Sequence, residues 1–582
     1  MKSTLFKNIK ITNEFILFLC IFLFATLLRF PQLGKTPLND IEAKLALSSI
    51  EINKGATVTQ SAQPLYLSLT SLFFILASNN FTARIVSAIA GCLFTITPLL
   101  FKKWVGSREA LLIGIFIAFD PALISISRQA DSRMLTLLLI FIFIESILNS
   151  KRIVAGIIGG LLFLCGPSFW QLSSLLFLSL FLFYQLSQDK KKTKQKAKIF
   201  FTNLKNGFPK FILGFTVSIL LIGTRLFSRS DLLNLIPQSF IGLINDWLAK
   251  DQLFNQFSLL IIFFFSSYPL IFLLCLSGVI KEIFRKDKLS FFLLVFLLIS
   301  FSFFLINPAA KTADIYIFII PMYYFATKII VVWMELIKKH IKESLLIGIP
   351  IICLLGFIWL AILRILNLPI GSIDAAQMFI VLIGGMLLLG IIFVLIGWGW
   401  SLKNALSGLT LGIICILALF QFSVSIHATG ITSRPESELW SLDHYFKGSE
   451  LITTTVEDIS MWNTGFKNMI DVAIVGIDSP SIEWALKEQG IAKYDVIPSS
   501  ETPSVMIMKE GKELTIKNGY RGQKFSLQSF PVWTINLEQS LTSIDFYRWL
   551  FLRDGLIKNE DVELWARTDL FVGNNLKFEN NN

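Results

Sequence analysis

"PLYLSLTSLFFILAS" fills residues 64–78, and whether it crosses a membrane decides where the rest of the chain lies. Its 15 residues are few for a hydrocarbon core about 30 Å thick, which a helix spans with roughly 20 apolar residues. Counting it as a span would invert everything after it. The lysine clusters "DKKKTKQKAK" (189–198), "KEIFRKDK" (281–288) and "KKHIKE" (338–343) would then face outside, against the bias that keeps basic loops cytoplasmic. The stretch therefore reads as an interfacial or re-entrant helix within a first external loop, 31–82. A loop of that length is more than a connector.

The surrounding sequence fixes the class. Of 582 residues, 54% are hydrophobic and 16% charged, and the mean hydropathy is +0.67. A soluble chain would carry roughly a quarter charged residues. Apolar runs recur through the first three quarters of the chain, and backbone groups in lipid must be satisfied within each helix. The reading is a polytopic α-helical membrane protein with about 13 transmembrane helices. Their expected places are near 14–30, 83–101, 109–127, 134–148, 152–166, 168–186, 209–227, 257–280, 289–306, 313–334, 345–363, 375–398 and 405–427. The net charge of +12 sits in loops between apolar runs, which argues for membrane topology and against nucleic acid. All six cysteines lie in apolar runs, so no disulfide and no cysteine metal site is expected.

Upstream of the opening stretch lies "PLNDIEAKLAL" (37–47). Asn39 followed by Glu42 is a capping-box pattern, and Gly55 closes the far end, so 40–54 reads as an amphipathic helix. A cap uses one carboxylate and leaves the other free for other work. Downstream, "SRQADSRM" (127–134) brings Arg128, Asp131 and Arg133 to the same external face, with an Arg128–Asp131 pair at i,i+3 as its bland reading. Lys311 in "NPAAKTAD" (307–314), Arg225, Arg229 and Arg364 are external on the same trace. Basic groups there run against the positive-inside bias and suit a lipid phosphate. The three histidines are scattered, no nucleotide-binding motif sits in a supporting context, and the spans hold almost no carboxylates of the kind ion-coupled transporters use.

These pieces resemble the GT-C superfamily of polyprenyl-phosphate-sugar-dependent glycosyltransferases, which includes dolichyl-phosphate-mannose-protein mannosyltransferases and the bacterial aminoarabinose transferase of lipid A. "PLNDIEAKLAL" is similar to the family's first-loop acidic motif. "AQPLYLSL" (62–69) is similar to its Pro-Pro-Leu-Tyr helix, "TARIVSAIAG" (82–91) to its second span, and "SRQADSRMLTLLL" (127–139) to its second-loop Arg/Asp segment. The usual adjacent Asp-Glu is split here as Asp40-Ile41-Glu42: either Asp40 is the base displaced by one residue, or Ile41 has replaced it. The His before Pro-Leu-Tyr is Gln63.

The resemblance implies inverting transfer of a sugar from a polyprenyl phosphate to an acceptor hydroxyl on the extracytoplasmic face. Asp40 or Glu42 would be the general base. Arg128, Arg133 or Lys311, or a divalent metal ion on Asp131 with Asp40, would meet the leaving phosphate. Gln63 and Tyr66 would line the substrate loop. A non-enzymatic flippase or scaffold for lipid-linked sugars is the alternative. The expected placement is the plasma membrane, with residues 1–428 as the transmembrane domain and 429–582 as a soluble extracytoplasmic α/β domain. In the latter, 450–458, 471–478, 494–498 and 561–571 read as strands, 481–490 and 543–555 as helices, and 504–516 as a hairpin turning at Glu510-Gly511. "SFPVW" reads as core, and "KFENNN" as a disordered end.

Overall fold

The computed structural model describes residues 13–58, 62–186, 207–248, 254–285, 287–307, 310, 312–339, 341–369, 371–431, 445–446, 448–496, 501–511, 519–531, 543–553 and 557–571. The first described helix is α1 (Asn13–Arg29), followed by α2 (Asp40–Lys54), α3 (Pro64–Phe73) and α4 (Asn80–Phe94). Helix α2 starts where the capping box places it. Asn39 Oδ1 accepts from the Glu42 N–H at 2.9 Å, and Glu42 Oε2 accepts from the Asn39 N–H at 3.2 Å, so two orphan donors are satisfied reciprocally. It ends at Gly55 with φ +79°, a left-handed cap that glycine adopts without steric cost. Helix α3 is only ten residues long with Pro64, Leu65, Tyr66 and Leu67 buried, so it packs inside the protein and does not span.

Among the described residues, six helices are long and apolar enough to cross a bilayer: Pro167–Leu186, Lys288–Ile306, Thr312–Glu335, Ile341–Asn367, Ile373–Gly399 and Leu402–His427. Two bent pairs, Ser107–Ala118 with Pro121–Ser127 (59°) and Leu260–Ser267 with Pro269–Arg285 (104°), raise the number to eight. Each bend falls at a proline, which disfavours helical backbone in the residue before it. Other expected spans are shorter apolar helices, Asn80–Phe94, Arg152–Phe163 and Phe208–Gly223. Among the described residues, length and apolarity thus support six to eight spans, and do not establish thirteen.

Beyond His427 the chain forms a six-stranded sheet with strands β1 (Tyr445–Phe446), β2 (Asp471–Val475), β3 (Gly490–Tyr494), β4 (Val505–Lys509), β5 (Tyr520–Pro531) and β6 (Ile557–Arg567). Their order is β1-β5-β6-β4-β2-β3. The two β2 pairings are parallel and the other three antiparallel. The stretch 450–458, read above as a strand, is instead part of the helix Ser449–Thr464. Its Ile452, Val456 and Ile459 are all buried, and that spacing is helical. Residues 481–490 divide into the short helix Pro480–Ala485 and, from Gly490, strand β3. Strand β4 pairs with β2 and β6; the second arm expected for its hairpin, like the final "KFENNN", lies outside the described residues. The helix expected over 543–555 is present as Ser543–Leu552.

The sheet domain is packed on the helices. Trp484 and Trp549 belong to the same buried cluster as Tyr66, Ile126 and Tyr323 of the helical region. The Trp484 ring stacks on Phe74 with 5.7 Å between centroids, and its indole N–H donates to Asn80 Oδ1 at 2.8 Å. An indole satisfies its one donor this way while burying its large apolar face.

Candidate functional site

The polar groups singled out in the first and second loops converge at one end of the helix bundle. Glu42, 1% exposed, sits in the first turn of α2, and Arg84 reaches it from α4. The pair is bidentate: Arg84 Nε to Glu42 Oε1 and Arg84 Nη2 to Oε2, both at 2.7 Å. Arg84 also donates to the carbonyls of Leu33, Thr36 and Pro37. Glu42 Oε1 further accepts from the Ala130 N–H at 2.7 Å. Glu42 therefore fastens the first loop to the second, and its oxygens are committed to charge-assisted bonds within the fold.

Asp131, one residue beyond that joint, is 3% exposed. Gln63 donates to its Oδ1 at 2.8 Å and accepts from the Ser132 N–H at 3.0 Å. Arg133 donates to Asp131 Oδ2 at 3.0 Å and to Asp314 Oδ1 at 3.1 Å. The Arg128–Asp131 pair of the bland reading does not form. Arg128 instead places Nη1 on the carbonyls of Arg29 and Pro31, both at 2.9 Å, where it closes the C-terminal end of α1. Burial first, then the neighbouring Arg84 and Arg29 cations, push the Arg128 guanidinium down to about 10. Among the described residues no carboxylate pairs with it. Tyr316 adds a buried hydroxyl without a hydrogen-bond partner among the described residues, in the field of Asp314, Arg133 and Asp131. An unmet buried hydroxyl costs free energy that a ligand group can remove.

Asp40, two residues before Glu42 at the start of α2, is hydrogen-bonded to the sheet domain and not to these groups. Its Oδ1 accepts from Ser479 Oγ at 2.8 Å, the Ser481 N–H at 2.9 Å and Ser481 Oγ at 2.6 Å, and its Oδ2 from Gln528 Nε2 at 2.7 Å. Tyr66, expected to line the substrate loop, is fully buried and donates to the Ala83 carbonyl at 2.7 Å; its role here is packing. Lys311 lies outside the described residues. A divalent ion shared by Asp131 and Asp40 does not fit this arrangement. Arg133 already occupies an oxygen of Asp131, both Asp40 oxygens are engaged elsewhere, and no group of three or more His, Cys, Asp or Glu suited to a metal occurs among the described residues.

Several members of the site carried no role in the sequence reading. Arg84 lies in the quoted second-span motif, and its partner could have been sought at Glu42, since a buried arginine needs one. Ser479, Ser481, Gln528 and Tyr316 gave no local signal, because only the tertiary fold brings them to these carboxylates.

Comparison with known proteins bears on the fold. No protein-family model matches the chain, and no curated protein matches it in sequence. Among solved structures, it is similar to ArnT from Cupriavidus metallidurans bound to undecaprenyl phosphate, at 13% identity and a TM-score of 0.52, covering 95% of this chain and 98% of that one. The apo form of the same ArnT aligns at 14% identity and a TM-score of 0.50, covering 85% and 92%. An Archaeoglobus fulgidus oligosaccharyltransferase aligns more loosely, at 12% identity and a TM-score of 0.44, over 83% of this chain and 63% of that one. The ArnT alignments extend over 95% and 85% of this chain, and the likeness is one of fold.

Proposed function

We propose that the chain is a membrane glycosyltransferase that moves a sugar from a polyprenyl phosphate to an acceptor hydroxyl with inversion, at the extracytoplasmic face of the plasma membrane. The observation that carries this reading is the buried cluster Gln63–Asp131–Arg133–Asp314 with the unmatched Tyr316 hydroxyl, in a fold shared with a protein crystallised with undecaprenyl phosphate. Asp40 is the general base. Two serine hydroxyls already donate to its Oδ1, which is the approach an acceptor hydroxyl needs, and a base must lie within hydrogen-bond reach of the proton it takes.

In the step, the acceptor O–H gives its proton to Asp40 while its oxygen bonds the anomeric carbon. The carbon–oxygen bond to phosphate breaks, and the phosphate leaves with the electron pair. Arg133, with 19% of its side chain exposed, and Arg128, whose cation has no carboxylate partner among the described residues, are the groups to balance the growing phosphate charge. Glu42 acts as a positioning residue that holds α2 against the second loop.

The test uses the full chain in nanodiscs with a panel of radiolabelled polyprenyl-phosphate sugars. Asp40→Asn is expected to lose turnover by about 100-fold or more, in the range of general-base catalysis, and to keep donor binding. Unchanged turnover in that variant removes Asp40 as the base. Donor binding without turnover in the wild type favours a carrier, a reading supported by the occupation of both Asp40 oxygens.

A further inference from the structure

Val472 and Ile474 of β2 pack in one cluster with Ile452 and Val456 of the helix Ser449–Thr464 and with Ile482 of the helix Pro480–Ala485. Ala473 and Val475 belong to a second cluster, on the other face of the sheet, since successive strand residues point to opposite sides. Both helices therefore lie on one face. That face is turned to the helix bundle, because Ser481 of Pro480–Ala485 holds Asp40 of α2 and Trp484 stacks on Phe74. The helix Ser449–Thr464 runs beside Pro480–Ala485 on this bundle side.

Its outward surface is apolar where it ends. Met461 and Trp462 are exposed, and the turn that follows adds Phe466 and Met469; Trp462 and Phe466 are each 62% exposed and Met469 67%. The turn is a built one. Gly465 closes the helix with φ +76°. Ser460 Oγ donates to the Phe466 carbonyl at 2.7 Å and accepts from the Met469 N–H at 3.2 Å. Asn468 donates to Glu488 and Gln489 to the Lys467 carbonyl, both at 2.9 Å. The fold thus fixes the backbone of a turn whose large apolar side chains it leaves uncovered. Charge does not account for the patch, since Lys467 is paired with Glu457 at 3.6 Å.

The patch continues toward an apolar edge of the bundle. Lys487 lies over the Trp484 ring at 4.1 Å, and Trp484 stacks on Phe74. The next bundle residues, Ile75 and Leu76, are exposed, Leu76 at 84%, and they lead into the apolar helix α4. Single apolar side chains on a surface are ordinary. A set contributed by two domains and joined through Trp484 marks a surface that something covers, and the apolar phase beside a bundle of membrane helices is lipid.

We infer that the sheet domain rests on the bilayer that holds the helices, with Trp462, Phe466 and Met469 entering the boundary between headgroups and acyl chains. Tryptophan suits that depth, and a partly apolar helix lying in the interface plane buries its apolar side there. Apolar burial, and not headgroup charge, carries the contact. The proposal is independent of the glycosyltransferase reading, because none of the three inserting residues belongs to the Asp40 or Asp131 groups.

The test is power-saturation electron paramagnetic resonance on the full chain, one copy per phosphatidylcholine nanodisc. The background is Cys20→Ala/Cys353→Ala/Cys415→Ala, which removes the cysteines that are not buried. A nitroxide is attached singly at Phe466→Cys or Met469→Cys. Lys524→Cys is the water reference: Lys524 is 53% exposed in its side chain and precedes Phe525 of the bundle-side cluster, so it points to the opposite face. At 466 and 469 the ratio of collisions with oxygen to collisions with a water-soluble nickel chelate is expected to stand several-fold above that at 524. A ratio equal to the reference at both positions would overturn the proposal. Exclusion of both reagents at both positions would overturn it too, by assigning the patch to a protein contact. Both labelled residues are exposed, so the wild-type thermal midpoint should be kept; Trp462→Cys supplies a further position should either variant fall below it.

Discussion

Asp40 Oδ1 accepts from both the backbone N–H and the hydroxyl of Ser481, a residue 441 positions further along the chain. The first residue of α2 is therefore clasped by the sheet domain. Hydrogen bonds to a charged group contribute about 1.5–3 kcal/mol each. Replacing both Ser479 and Ser481 with alanine removes the hydroxyl donors and leaves the Ser481 N–H and Gln528 in place. The expected outcome is faster amide hydrogen exchange in β2 and in the helix Pro480–Ala485, with the fold retained. In an activity assay the acceptor KM should fall, because two competing hydroxyls are gone. Unchanged exchange would mean that the clasp contributes little to docking.

Breaking the Glu42–Arg84 pair should be among the most damaging single changes outside the apolar core. Both side chains are almost fully buried, at 2% and 4% exposure, and removing one partner of a buried pair costs about 3–5 kcal/mol. Either Glu42→Gln or Arg84→Met should lower the thermal midpoint sharply. The double variant Glu42→Leu/Arg84→Met should recover part of the loss. It should not recover all of it, since the Ala130 N–H and the Leu33, Thr36 and Pro37 carbonyls also lose their partner.

Two glycines give a contrast that thermal unfolding can read. Gly156→Ala forces a methyl group against the Phe211 carbonyl oxygen at 2.1 Å, and overpacking of this kind costs about 1–3 kcal/mol. Gly242→Ala meets nothing within 4 Å and lies within the helix Leu235–Leu248, where alanine is favoured over glycine by about 1 kcal/mol. The first should destabilise; the second should be neutral or stabilising.

Docking of the sheet domain on α2 should tighten on mild acidification. Burial, and after it the Glu483 carboxylate, raise the Glu51 carboxyl above its ordinary value of 4.5, opposed by Lys493 and Lys54. The docked state holds the Glu51 proton more strongly than the undocked state. Its stability therefore grows as pH falls through the raised value and is lost as pH rises through it. Limited proteolysis between His427 and the sheet, followed across this window, should slow toward acid. Glu51→Gln should flatten the dependence and leave the docking tighter at neutral pH.

Much of the helical part was legible because its signals are local. The Asn39–Glu42 box and Gly55 delimit α2 by capping chemistry that needs no partner, and the shortness of 64–78 was enough to keep α3 out of the membrane count. The helix at Ser449–Thr464 was misread because "LITTTV" is rich in β-branched residues, while the buried Ile452, Val456 and Ile459 carried the helical period. The site was legible by residue type and not by role. Nothing near Glu42 in the sequence announces that Arg84 will saturate it, and nothing near Asp40 announces Ser479, Ser481 or Gln528.

The strand order of the sheet sets a timetable for synthesis. Among the described strands, β6, the last to be made, lies in the middle. Before it arrives, β2, β3 and β4 form one half and β1 and β5 another, with no pairing between them. Ser479 and Ser481 follow β2 in the first half, and Gln528 belongs to β5 in the second. The full set of donors to Asp40 is therefore assembled only after residues 557–567 have left the ribosome and joined the halves. Until then the growing chain carries at Asp40 a carboxylate that has only part of its final set of hydrogen-bond donors.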